Sequence, residues 1–349
     1  YKYDTSDKHF LVNPDIFKNF ISCIYENEEG VFLLGTWNGV ILFDSKEKVY
    51  FLYEGLQDLD HQFIRTIYKD WFDNIWIGTY IGIFHYDMAN DTLIKFEPER
   101  ITHDTLSSQI INNLGECQFH KDPLLYITTD MGLNIYNLEL GVNQVYSHDP
   151  TDRQSISYNT IHSMLVDNNM LWLGYENSGI SVSNMLNTQY EYYQIDSDTI
   201  KHNPYNATTF LTDLKGYTWI GTSKGGLFKF NQEMEILDQF TFNPESKICD
   251  WCNFIYSINQ TPDGKIWIGT VTEGLWLYDE DNNDFIRNEL IMNGTSILHE
   301  RINTVFMDSY GVYWVGSIAG RGLFFQAPDA QNNTEFHHIT QDPLCLLYT

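Results

Sequence analysis

"IWIGTYIGIFHYD", residues 75–87, sets a tryptophan two places before a glycine, followed by a second glycine and a strand-like run. The chain repeats this sentence. "TWIGTSKGGLFKFN" occupies 218–231, "KIWIGTVTEGLWLYD" 265–279 and "VYWVGSIAGRGLFF" 312–325. Degenerate copies stand at 31–44 ("VFLLGTWNGVILFD"), 125–137 ("LYITTDMGLNIYN") and 171–184 ("LWLGYENSGISVSN"). Aligned on the glycine after the aromatic, they give Gly35, Gly78, Thr128 (glycine replaced), Gly174, Gly221, Gly269 and Gly316, at intervals of 43, 50, 46, 47, 48 and 47 residues. A period near 45 belongs to four-stranded propeller blades, whereas helical hairpin repeats run at about 34.

Within a unit the pattern has the two-residue period of strands. Around Gly78 the order is "FIRTIYKD", the turn "FDN", "IWIGT", the turn "YIG", "IFHYD", the turn "MAND" and "TLIKFE". No stretch reads as an amphipathic helix. The expected fold is all-β, a seven-bladed β-propeller of four-stranded antiparallel blades. Repeats are expected at about 14–56, 57–101, 102–148, 149–196, 197–243, 244–293 and 294–340. Residues 1–13 read as the last two strands of a preceding or closing blade, and 341–349 as the start of a following segment. The alternative is eight blades, the extra one built from the two chain ends.

The repeated residues have mechanical reasons. Blades stack face to face around an axis, and Trp76, Trp172, Trp219, Trp267 and Trp314, with Tyr126 and Leu33 in the same slot, supply volume for the gap. They read as core, not as ligands. The glycine two places on is expected to admit a neighbouring aromatic or backbone. Gly39, Gly82, Gly132, Gly179 and Gly226 suit the positive φ of the following turn. Asp70, Asp213 and Asp308 stand six places before the aromatic, where an Asx-type role would tie the first turn.

The formal net charge is −27, from 20 Lys and Arg against 47 Asp and Glu. Nucleic-acid backbones and anionic membrane surfaces require clustered cations, so neither is an expected partner. No apolar run approaches the roughly 20 residues of a membrane span. The start shows no signal peptide, as a mature or truncated chain also would not. Cys249 and Cys252 form one CxxC without a second ligand pair. A metal, a local disulfide and two plain loop thiols all stay open, and no cofactor motif is present.

W-I-G-T followed by G-L and an aromatic-acidic end resembles the two-component regulator propeller repeat. "HDPTDRQSISYNTI" (148–161) is similar to that family's connector, and "THDTLSSQII" (102–111) echoes it. The resemblance covers nearly the whole chain, with Thr128 and Leu33 as departures. It implies a sensor region of a hybrid two-component system of Bacteroidetes: periplasmic, dimeric, carbohydrate-sensing and coupled to a histidine kinase. The kinase, receiver, DNA-binding helix pair and membrane span are missing from this chain, so further propeller units and a membrane-spanning kinase are expected in the same gene.

Propellers also host enzymes, and fold does not fix function. A sialidase-type Asp box needs Asp two places before its Gly; here the spacing is three. A glycosidase needs two convergent carboxylates, and no local constellation proposes one. GxSxG, HExxH and phosphate-loop motifs are absent. The preferred reading is a recognition module with no catalytic residues. The alternatives are a propeller glycoside hydrolase or polysaccharide lyase, and a protein-interaction scaffold. The loops between second and third strands break the repeat's sameness and carry Trp37, Asn38, Tyr80, Asp130, Tyr175, Glu176, Asn177, Lys224, Glu273 and Arg321. Aromatic rings beside amides and carboxylates suit the apolar faces and hydroxyl rims of an oligosaccharide. Trp37 and Tyr80 are the expected stacking pair. Lys224 and Arg321 would serve an anionic sugar.

Overall fold

The structure is a computed structural model. It describes residues 21–47, 49–51, 54–59, 62–87, 90, 92–96, 106–117, 122–167, 169–175, 178–184, 190–193, 205–242, 251–292, 294–297, 300–317, 322–326 and 335–339. The runs proposed at 1–13 and 341–349 lie outside these, and so does the eight-blade alternative that depends on them.

Among the described residues the chain is strand throughout, apart from one short 3-10 helix at Glu54–Leu59. The strands fall into successive runs, each a simple meander. The first is β1–β4 (Ile21–Glu28, Val31–Thr36, Gly39–Asp44, Val49–Phe51), the second β5–β8 (Ile64–Lys69, Ile75–Thr79, Gly82–Asp87, Thr92–Phe96). Then come β9–β12 (Ile111–Glu116, Leu124–Thr129, Gly132–Asn137, Val142–Tyr146) and β13–β16 (Ile161–Asp167, Met170–Tyr175, Ile180–Asn184, Tyr190–Tyr193). Next is β17–β20 (Ala207–Thr212, Thr218–Thr222, Leu227–Phe230, Ile236–Phe240). Each of these five is a separate four-stranded antiparallel sheet. The remaining strands are β21–β24 (Ile255–Gln260, Ile266–Thr270, Leu275–Asp279, Asp284–Met292), β25 (Thr295–Ile297) and β26–β29 (Ile302–Met307, Tyr313–Ser317, Leu323–Gln326, Glu335–His338). They form a single nine-stranded sheet.

That sheet departs from the expected separate antiparallel blades. β24 has nine residues and overshoots its own meander. Its first half pairs with β23, while Glu289, Leu290 and Ile291 run parallel to Glu335, Phe336 and His337 of β29. The surplus backbone groups need partners, and the next outer strand offers them.

The first strands of successive runs touch in the order β1, β5, β9, β13, β17, β21 and β26, and β26 returns to β1. Side chains lock this inner circle. Ser22 Oγ donates to Ile64 O, Asn112 Nδ2 to Ile161 O, Thr208 Oγ1 to Ile255 O and Asn303 Nδ2 to Ser22 O. The motif glycine explains the close approach. A Cβ at Gly35, Gly78, Gly221, Gly269 or Gly316 would stand 2.7 to 2.9 Å from the branched methyl of Ile64, Ile111, Ile255, Ile302 or Ile21, respectively. At these five the glycine therefore receives an isoleucine of the next first strand instead of the expected aromatic. At Gly174 a Cβ would stand 2.7 Å from the Ala207 carbonyl oxygen of the next first strand, the backbone approach also expected. An aliphatic branch fits a notch one side chain deep; an indole would not.

The aromatic slot fills the gaps as expected: Trp76, Trp172, Trp219, Trp267, Trp314, Tyr126 and Leu33 are all buried. Each packs on the following run, and Trp314 crosses back to the first, with its ring 5.3 Å from Phe32 and 5.2 Å from Phe43. The aspartates do more than hold a turn. Asp70, Asp213 and Asp308 each accept two backbone amides of the turn through Oδ1, and each accepts its tryptophan's Nε1 at 2.8 Å through Oδ2. Burying an indole N–H without a partner is costly, and these carboxylates supply one.

Candidate functional site

A meander puts the loops between its second and third strands at the same end as its connections to the next run, away from the aspartate turns. Local chemistry fixes these loops. Thr36, Thr79, Thr129, Thr222 and Thr270, the threonines after the motif glycines and Thr128, each donate Oγ1 to a turn glycine's carbonyl at 2.8 to 2.9 Å. The same oxygens accept an amide of the turn at 2.9 to 3.0 Å. The glycines adopt positive φ, for instance +130° at Gly82. The fourth letter of W-I-G-T thus staples a rigid turn.

The sequence-chosen residues divide on this frame. Trp37, Tyr80 and Lys224 are exposed, and Asn38 and Asp130 half-exposed. Asp130 Oδ1 is buried without a hydrogen-bond partner among the described residues. Tyr175 is fully buried, because it takes the staple threonine's position at the end of β14 and is not part of the turn; burial pushes its phenol well up. Glu273 turns inward and pairs with Arg287 of β24 at 3.3 Å, while its carbonyl accepts Trp276 Nε1. Neither side chain faces solvent as a ligand contact would. Glu176, Asn177 and Arg321 lie outside the described residues.

Trp37 and Tyr80 do come together, through a residue the sequence reading missed. Phe63, in the connection before β5, lies edge-on to Trp37 at 5.1 Å and stacks on Tyr80 at 4.8 Å. Arg65 completes the row: its guanidinium sits 5.5 Å from the Tyr80 ring, and Nη1 donates to Tyr80 Oη at 3.1 Å. A second row follows the connection before β21. Trp251, itself exposed, stacks on Phe254 at 5.7 Å, and Phe254 meets Tyr256 at 4.8 Å. Phe254 O accepts Val271 N, so this connection is pinned to the adjoining loop. Burial raises the Tyr256 phenol's pKa, and the positive charges of Arg301 and Arg65 pull it back. Arg65, which borders the first row, therefore also acts on the Tyr256 end of the second.

Phe63, Phe254 and Arg301 share one address, the position just before the buried first residue of an inner strand. Scanning that register would have found them. Cys252, beside Trp251, is buried and disulfide-bonded, which resolves one alternative left open for the CxxC; Cys249 lies outside the described residues. Among the described residues there is no cluster of three His, Cys, Asp or Glu side chains able to hold a metal, and no helix long and apolar enough to cross a membrane.

Residues 251–272, which hold the second aromatic row and β22, match the two component regulator propeller family. The chain carries a two-component regulator propeller repeat. Over 198 residues it is 25% identical to Histidine kinase P4 of Formosa agariphila, covering 54% of this chain and 14% of that protein. The extracellular domain of a hybrid two component system from B. thetaiotaomicron superposes with a TM-score of 0.71 at 19% identity, over 89% of this chain and 40% of that one. Streptogramin B lyase superposes with a TM-score of 0.61 at 12% identity, over 88% and 92%. At these identities the superpositions show the fold, a propeller of four-stranded blades. The chain spans well under half the length of the kinase and of the extracellular domain.

Proposed function

We propose that this chain is the periplasmic ligand-sensing propeller of a hybrid two-component signalling protein, and that it binds an oligosaccharide and relays to a histidine kinase elsewhere in the same polypeptide. The ring is read as seven-bladed, with the nine-stranded sheet counted as two blades fused by the β24–β29 pair. The observation that carries the ligand reading is the double aromatic row, Trp37–Phe63–Tyr80 and Trp251–Phe254–Tyr256, on the face of stapled loops. Flat rings on a rigid frame, exposed at Trp37, Tyr80 and Trp251 and half-buried at Phe63, Phe254 and Tyr256, suit sugar stacking, and little loop ordering opposes binding. The Cys252 disulfide favours an oxidising compartment, consistent with the periplasm. Binding without chemistry suffices: a ligand with different affinity for two protomer arrangements shifts their populations, and a homodimer transmits that shift.

Calorimetric screening against polysaccharide digests tests this. A binding digest should lose at least about tenfold in affinity with Trp37→Ala/Tyr80→Ala, the removal of two stacking platforms. Unaltered binding in that variant would move the site off this face. A lyase shares the fold, so the same mixtures are assayed for new reducing or unsaturated ends; turnover would replace the sensor reading with an enzymatic one.

A further inference from the structure

Seven first strands line the axis, and the residue following each buried leading side chain occupies one tier: Ser22, Arg65, Asn112, His162, Thr208, Tyr256 and Asn303. Ser22, Asn112, Thr208 and Asn303 commit their donors to a neighbouring carbonyl and so hold the circle together. Arg65 and Tyr256 do not. Arg65 donates only to the Tyr80 phenol, and the Tyr256 hydroxyl has no hydrogen-bond partner among the described residues. Arg301, at the mouth just before β26, is exposed and has no ion-pair partner among the described residues. The adjacent Glu300 is buried and accepts Ser317 Oγ, and no ion pair joins it to Arg301 among the described residues. In a chain with 47 acidic residues and 20 cationic ones, Arg65 and Arg301 both act on the Tyr256 phenol, and neither has an ion-pair partner among the described residues.

We propose that this axial mouth is an oxyanion subsite, in which Arg65 and Arg301 bind a carboxylate or sulfate carried by the saccharide and Tyr256 donates its hydroxyl. The inference rests on the oligosaccharide reading and narrows it to acidic sugars. Guanidinium groups match both oxyanions with paired N–H donors, and hydrogen bonds between ionised partners are the strong ones. The aromatic rows on either side hold the sugar rings, with their inner ends at Tyr80 and Tyr256. The site differs from the Lys224 and Arg321 loops, and it draws its groups from three separate runs: Arg65 of β5, Tyr256 of β21 and Arg301 just before β26.

The test is calorimetric titration of the whole chain with galacturonate oligomers, sulfated galactose oligomers, neutral galactose oligomers and inorganic sulfate, at constant ionic strength. The expected result is that one acidic series binds at least about tenfold tighter than the neutral series, since a charged hydrogen-bonded pair discriminates by that much or more. Which series wins distinguishes carboxylate from sulfate. Arg301→Gln, an exposed substitution that the fold tolerates, and Arg65→Gln should each abolish the preference. Arg65→Lys should retain part of it, and Lys46→Gln at the opposite end of the ring all of it. An equal affinity for neutral and acidic oligomers, or a preference that survives both glutamine variants, overturns the subsite while leaving the sensor reading in place. Arginine-dependent sulfate binding with no binding of any oligomer supports the subsite and overturns the sugar reading. No binding of any probe overturns both.

Discussion

Trp219 and Trp267 fill the same slot in neighbouring runs, and both are fully buried. Trp219 donates to Asp213; Trp267 Nε1 has no partner among the described residues, because Thr261 stands where the aspartate would. Thr261 still holds the turn, accepting Lys265 N at 3.1 Å, but its hydroxyl is too short to reach the indole as well. The first three strands of the two runs pair in the same antiparallel order. Volume between sheets is therefore what the repeat requires, and the buried hydrogen bond is a refinement that some copies carry.

The strongest way to break this comparison is to remove the volume. Trp219→Ala and Trp267→Ala should each cost about 3–5 kcal/mol, the usual loss for a large buried ring, as read from urea denaturation midpoints. A loss at Trp267 much smaller than at Trp219 would show that the hydrogen bond, not the packing, dominates. Phenylalanine sharpens the contrast. Trp219→Phe strands an Asp213 oxygen, whereas Trp267→Phe removes an orphaned donor, so the first should cost about 1–3 kcal/mol more than the second. Thr261→Asp should restore the missing acceptor and raise the denaturation midpoint by the equivalent of about 1 kcal/mol. An unchanged or lower midpoint would mean that Asp263 two residues on repels the new charge.

The smallest effect concerns how adjacent runs clasp each other's first turns. Glu116 accepts Trp71 N, Glu26 accepts Ser309 N, and Gln260 does the same for Leu214 N without a charge. The Glu116 carboxyl is pushed up to about 7, by desolvation first and by the Asp70 charge, against the pull of the Trp71 amide. Because the folded-state value lies above the ordinary 4.5, the folded state keeps the proton longer; stability falls as pH rises from 4.5 to 7 and levels off above that. Glu116→Gln copies Gln260 and should remove that fall, leaving the variant the more stable above pH 7 and equal to the parent below 4.5. Solvent screening at a half-exposed carboxyl keeps the shift in melting temperature small. Parallel melting curves across that window would show that Glu116 does not titrate there.

The period, the tryptophan slot and the turn glycines were legible because packing and φ recur with the repeat. Trp37 and Tyr80 were legible as a pair, since equivalent loops on neighbouring runs must lie side by side. Phe63 was not, because it sits in a connection whose sequence varies between runs. Tyr175 misled because it occupies a strand position that the next residues make look like loop. Glu273 misled because its partner, Arg287, is fourteen residues away on an outer strand. The parallel β24–β29 pair depends on how far one strand overshoots, which no local pattern records.

The join between β26 and β1 has a consequence for synthesis at the ribosome. Phe32 and Phe43 each meet Trp314 edge-on across this join, and Ser22 O finds its donor in Asn303. At elongation rates of roughly 5–20 residues per second, about a quarter of a minute to a minute separates the appearance of these partners. During that interval the first sheet presents a bare apolar flank to whatever surrounds it. A nascent chain halted between β21 and β26 should therefore bind a hydrophobic dye or a holdase strongly, and release it once Trp314 has emerged.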